Sequence, residues 1–160
     1  MSDEVRIKIR SVRFEVEASL FSSDEYDGTE EFCEIESAEP ETVEINTIGM
    51  LTERDGRVEV SYKETEVTGM EGSTTAVTYM KGQEGIVSML REGVVSTALV
   101  FEEGKRHHCV YNTPFMPFQV CVHTLTVDNR LLTEGFVDLD YVVEIRGAQA
   151  ERTKFRMELL

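Results

Sequence analysis

The chain is 160 residues long, carries a formal net charge of −15 and contains three cysteines and no tryptophan. That length suits one domain with a real hydrophobic core and no need of staples. The charge argues against nucleic acid and anionic lipid, since Lys and Arg are outnumbered and scattered along the sequence, and no apolar run approaches the roughly 20 residues of a membrane helix.

The N-terminus, Met1-Ser2-Asp3-Glu4, is acidic and lacks an apolar signal region, so a cytoplasmic location is expected. Cys33, Cys109 and Cys121 follow no framework spacing, which suits reduced thiols in that compartment.

The first strand is expected from about Val5 to Val16. Val5, Ile7 and Ile9 alternate with basic residues, and then Val12, Phe14 and Val16 take the opposite parity. A slip of one residue would turn the apolar set to the wrong face, so a β-bulge is expected near Arg10-Ser11. Residues from about 18 to 41 form an acidic stretch with few apolar side chains, read as a loop insertion lying over the barrel. It has no calcium-loop spacing.

From Val43 onward the chain reads as short alternating strands joined by turns. Asp55-Gly56 is a strong two-residue hairpin turn. Turns are also expected at Gly69 to Gly72, Gly82 to Gly85, Glu92-Gly93, Glu103-Gly104 and Thr113 to Pro117. Asp128-Asn129 starts a longer connection, with Leu131-Leu132 set to pack over a barrel mouth. Val137, Leu139, Tyr141, Val143 and Ile145 share a face, as do Phe155, Met157 and Leu159. Roughly eight to ten strands in successive hairpins predict an all-β, single antiparallel up-and-down barrel over residues 1–160. The inward set is expected to include Val58, Val60, Tyr62, Leu99, Phe101, Phe118, Val120, Leu139, Tyr141, Val143, Phe155 and Met157. Small inward residues, Gly49, Thr75 and Thr97, would leave room inside.

Tyr62-Lys63-Glu64, Arg91-Glu92-Gly93, Phe101 and Tyr111-Asn112-Thr113-Pro114-Phe115 with Phe118 resemble the YwiB-like family of bacterial proteins. The resemblance runs from about Val43 to Leu160 and implies a calycin or lipocalin-like β-barrel. The family is a domain of unknown function, so it implies no reaction. The family pattern has glycine near the position of Met116, which implies a different turn there.

Glu64 shares strand parity with Val58, Val60 and Tyr62, which predicts an inward carboxylate near one barrel end. A buried carboxylate needs a partner. Arg91, in phase with Val87 and Met89, is the best candidate, with Tyr62 or Tyr111 supplying a hydroxyl. The pair either closes the barrel end structurally or anchors a ligand in a cavity. Tyr62, Glu64, Arg91, Tyr111 and Tyr141 are the candidate ligand-binding residues.

His107, Cys109, Cys121 and His123 suggest zinc by spacing, but strand parity sends Cys109 inward and Cys121 with His123 outward, leaving at most a surface pair of His108 and His123. No metal, cofactor or catalytic residue is assigned, and nucleophile-elbow, P-loop and dinucleotide signatures are missing. The expected function is non-enzymatic binding of a small, partly apolar ligand or of a protein partner, a second copy included. The alternative is a hydrolase or isomerase using Glu64 as acid or base.

Overall fold

In the computed structural model, residues 2–17, 33–34, 40–64, 72–145 and 150–160 are described. The acidic stretch lies largely outside them, as does the Gly69 end of the turn expected at Gly69 to Gly72. The described residues form eleven strands and no helix. They are β1 (Ser2–Glu17), β2 (Cys33–Glu34), β3 (Glu41–Arg54), β4 (Arg57–Lys63), β5 (Thr74–Met80) and β6 (Ile86–Glu92). After these come β7 (Ser96–Glu102), β8 (Arg106–Asn112), β9 (Pro117–Arg130), β10 (Phe136–Ile145) and β11 (Ala150–Leu159).

From β3 to β11 every strand pairs with its successor in sequence, β1 pairs with β3, and the β11–β1 pairing closes the sheet. The result is an antiparallel barrel of ten strands, with β2 adding only a short pairing to the end of β1. Closure removes both sheet edges. The hairpin chemistry is as the turn residues dictate. Asp55 and Gly56 both have positive φ, 52° and 81°, the mirror-image turn whose twist matches its flanking strands.

The bulge expected in β1 does not exist. Residues 7–16 pair with β11, and residues 2–13 pair with β3, without a register shift. The inward face therefore continues from Ile7 and Ile9 to Ser11 and Arg13. Phe14 lies on the outer surface, in a second apolar cluster with Leu125, Val142 and Ala150. Arg152 and Lys154 lie over its ring. Phe14 of the second apolar run thus serves a different, exterior cluster, and no slip is needed to bring it inside. The register does shift elsewhere, between Asp140 and Tyr141 where β10 meets β9.

The expected inward set forms one buried core, with Val143 packed at its margin. The Phe118 side chain is outside the described residues. β9 runs on to Arg130, so the expected turn at Asp128-Asn129 begins later. Leu131 then plugs the barrel end, while Leu132 points to solvent. Gly49 leaves no room inside: a Cβ there would collide with Ile7 Cδ1 and the Ser61 carbonyl. Thr75 and Thr97 are buried side chains of the packed interior.

Candidate functional site

Antiparallel alternation brings the ends of β1, β4, β6 and β10 together with the starts of β3, β5 and β11 at one rim of the barrel. Glu64 follows β4 at this rim. Its amide donates to the Ser73 carbonyl at 2.8 Å, which extends the β4–β5 ladder by one step and holds the side chain over the interior. The carboxylate is 2% exposed. Arg91 Nη2 reaches Glu64 Oε1 at 3.3 Å, and the Thr75 hydroxyl donates to the same oxygen at 2.6 Å. Arg91 Nε also donates to Thr75 Oγ1 at 3.3 Å. Glu64 Oε2 is buried and has no hydrogen-bond partner among the described residues.

The hydroxyl in this cluster comes from Thr75, where Tyr62 or Tyr111 was expected. Thr75 was legible all the same, because it shares the inward parity of Val77 and Tyr79 on β5. Tyr62 interacts with Thr75 in turn. Burial, reinforced by the Glu64 carboxylate, pushes the Tyr62 hydroxyl well above the usual tyrosine range, so it stays protonated. Burial likewise pushes Tyr141 up to about 12, with Tyr111 adding to the effect. The Phe101 ring supports Tyr141 at a centroid distance of 4.5 Å.

These groups border a cavity of about 70 Å³. Tyr62, Glu64, Arg91 and Tyr141 all line it, and Tyr111 does not. Ile9, Ser11, Arg13, Glu41, Val43, Ile45, Met89 and Phe155 complete the wall. Ser11 and Arg13 were missed because the expected bulge turned them outward. Glu41 fell within the stretch read as an insertion. Arg13 lies 3.7 Å from Glu151 at the rim.

The side chains of His107, His108, Cys109, Cys121 and His123 do not converge. Cys109 opposes Val120 and His108 opposes Cys121, so the two thiols lie on opposite faces of adjacent strands. Among the described residues no three metal-ligating side chains come together. His123 lies on the outer face as parity requires, yet it is 0% exposed, which removes the expected surface pair with His108. Burial, aided by the Arg106 charge, depresses the imidazole to about 4.

The described residues contain no helix long and apolar enough to cross a membrane. A closed antiparallel barrel with a small polar-floored cavity defines the class. The profile of DUF1934, a domain of unknown function, matches residues 31–157, and the chain belongs to that family. The match begins inside the acidic stretch, so its second half is part of the family's domain. The crystal structure of the ywiB protein from Bacillus subtilis is similar, with a TM-score of 0.63 at 16% identity. The alignment covers 98% of this chain and 93% of that one. A comparison with curated proteins finds no match.

Proposed function

We propose that this protein is a cytoplasmic, calycin-like binding barrel that takes a small, partly apolar molecule at the Glu64 rim and performs no chemistry on it. The observation that carries the reading is the buried Glu64 carboxylate, with one oxygen held by Arg91 and Thr75 and the other without a partner among the described residues. Small-molecule sites fix their ligand with a few placed polar groups against apolar side chains, and here Glu64 and Arg91 line the cavity with Ile9, Ile45, Met89 and Phe155. Tyr62 and Tyr141 supply further protonated hydroxyls. The alternative, a hydrolase or isomerase using Glu64, has less support. Oε1 is committed to two donors, and among the described residues no histidine or cysteine lines the cavity to act with it. Native mass spectrometry of the purified protein tests the reading. A retained small molecule, lost in Glu64→Gln, is expected; a ligand-free protein whose melting temperature no small molecule raises would overturn it.

A second reading, a protein partner or self-association, draws on one surface feature. Ser96 pairs with Asn112, which brings the β6–β7 and β8–β9 turns side by side. Between them they expose Val94, Met116 and Phe115, the last at 95%. A wild-type monomer by analytical ultracentrifugation would remove self-association from this reading.

A further inference from the structure

We propose that the Glu64 cavity takes a small organic ammonium ion, with its cationic head at Glu41 and its carbon body against the apolar wall. This rests on the binding reading above and names the charge of its ligand. The first support is how the charges around the cavity are matched. Two arginines, Arg13 and Arg91, and two carboxylates, Glu41 and Glu64, line it. Arg91 is paired with Glu64 at 3.3 Å. Arg13 stands opposite Glu41 in the β1–β3 register, yet its ion pair, at 3.7 Å, is with Glu151 on β11. The exposed Glu41 side chain makes no ion pair and no hydrogen bond among the described residues. Three carboxylates thus stand around the cavity with two cations, and Glu41 is the charge left over. A monocation completes the set, whereas an anion would add to an existing excess.

The field of the whole molecule acts in the same direction. The chain carries a net charge of −15, which draws small cations toward its clefts and holds anions off. The wall then separates an organic cation from a metal ion. Among the described residues no three metal-ligating side chains come together. Ile9, Ile45 and Met89 line the cavity beside Tyr62, Tyr141 and Phe155. Such side chains receive the carbon body of an organic cation, and aromatic rings are the apolar groups that also accept its charge. Size sets the last constraint. One water needs roughly 10–15 Å³ of such space, so a cavity of about 70 Å³ suits a body of about five to seven non-hydrogen atoms.

The test compares three molecules that share one branched carbon body and differ in the head: isopentylammonium, 3-methylbutan-1-ol and 3-methylbutanoate. Binding to the unmodified protein is read at neutral pH from the methyl NMR signals of Ile9, Ile45 and Met89. The ammonium ion is expected to bind about tenfold more tightly than the alcohol, the scale of one charge-assisted contact at an exposed carboxylate. The butanoate should bind more weakly than both. Glu41→Gln should bring the ammonium ion down to the affinity of the alcohol and leave the alcohol unchanged. An alcohol or butanoate that binds as tightly as the ammonium ion would overturn the proposal, and so would an ammonium preference that survives in Glu41→Gln. If none of the three moves the methyls, a ligand of this size and charge is ruled out. The binding reading itself is untouched by that result and is decided by the native mass spectrometry above.

Discussion

Glu64 is buried and Arg91 largely covered, and each keeps the other's charge tolerable. Replacing one partner by leucine leaves an uncompensated charge, which typically costs about 3–5 kcal/mol. The double replacement, Glu64→Leu with Arg91→Leu, is expected to cost less than either single change. Urea denaturation of the four proteins measures this, and additive losses would show two uncoupled residues. His123 gives a second expectation, with a definite sign. Its imidazole is held at about 4 in the folded protein, below the free value of 6.5, so the unfolded chain binds the proton first. Stability from this residue is thus present above about pH 6.5 and falls as the pH drops toward 4, by about 3 kcal/mol. Carboxylates titrate in the same window, so the test is a difference. Chemical denaturation of wild type and His123→Gln between pH 7 and 4.5 should show a shallower pH slope for the variant. Gly49 makes the third residue-scale case. An added methyl meets the Ser61 backbone carbonyl, which cannot move aside. Gly49→Ala is expected to destabilise by about 1–3 kcal/mol, read from the same denaturation curves.

Among the elements, the strands with clean alternation were legible and the two irregular ones were not. Val58, Val60, Tyr62 and Glu64 needed only parity, and so did Val87, Met89 and Arg91. β1 misled because periodicity reports which residues are buried without saying on which side of the sheet. Val12 and Phe14 break phase with Ile9, and Phe14 does so to join an apolar cluster outside the barrel. The real register shift, at Asp140 and Tyr141, sits in an unbroken alternating run on β10, with the extra residue on β9 at Leu125. Its mark lies on β9, where the inward parity passes from Val120 and Val122 to Val127. The β8–β9 turn shows how an element can reach its shape by another route. Asp55 is the only non-glycine with positive φ among the described residues, so Met116 adopts no left-handed backbone. The Thr113 hydroxyl holds the turn instead, accepting from Phe115 N at 3.3 Å and Met116 N at 3.1 Å. It also donates to the Met116 carbonyl at 2.7 Å. Phe115 contributes little to this framework. Phe115→Ser is expected to change stability by less than about 0.5 kcal/mol, while Thr113→Val, which strips the turn of these bonds, should cost about 1 kcal/mol. Melting temperatures of the two variants make the comparison.

At the scale of the whole molecule, the barrel depends on one long-range seam, where the C-terminal strand meets the first. Pairing there runs from Ile7 opposite Leu159 to Val16 opposite Ala150, and Leu160 N donates to the Arg6 carbonyl at 2.9 Å. The outer face of the seam also collects cations that look scattered in sequence: Arg6, Lys8 and Arg10 on β1, with Arg152, Lys154 and Arg156 on β11. Arg10 stands opposite Arg156, an unfavourable like-charge pairing. Carboxylates moderate it: Arg156 contacts Glu158 and, at 2.7 Å, Asp138, while Arg152 is gripped by both oxygens of Asp140. Inside the seam, β11 contributes Phe155 and Met157 to the core. The pairings from β3 to β11 join strands adjacent in sequence, whereas β11 and β1 are the strands farthest apart in sequence and are joined only by folding. Removing residues 150–160 would expose the edges of β1 and β10 and open the core to water. The truncated chain is expected to lose its cooperative thermal transition and to self-associate on size-exclusion chromatography. Lys154→Ala, on the outer face of the same strand, should leave the barrel monodisperse with a cooperative transition. A truncated chain that stayed monomeric and melted cooperatively would show that the open sheet is stable without its seam.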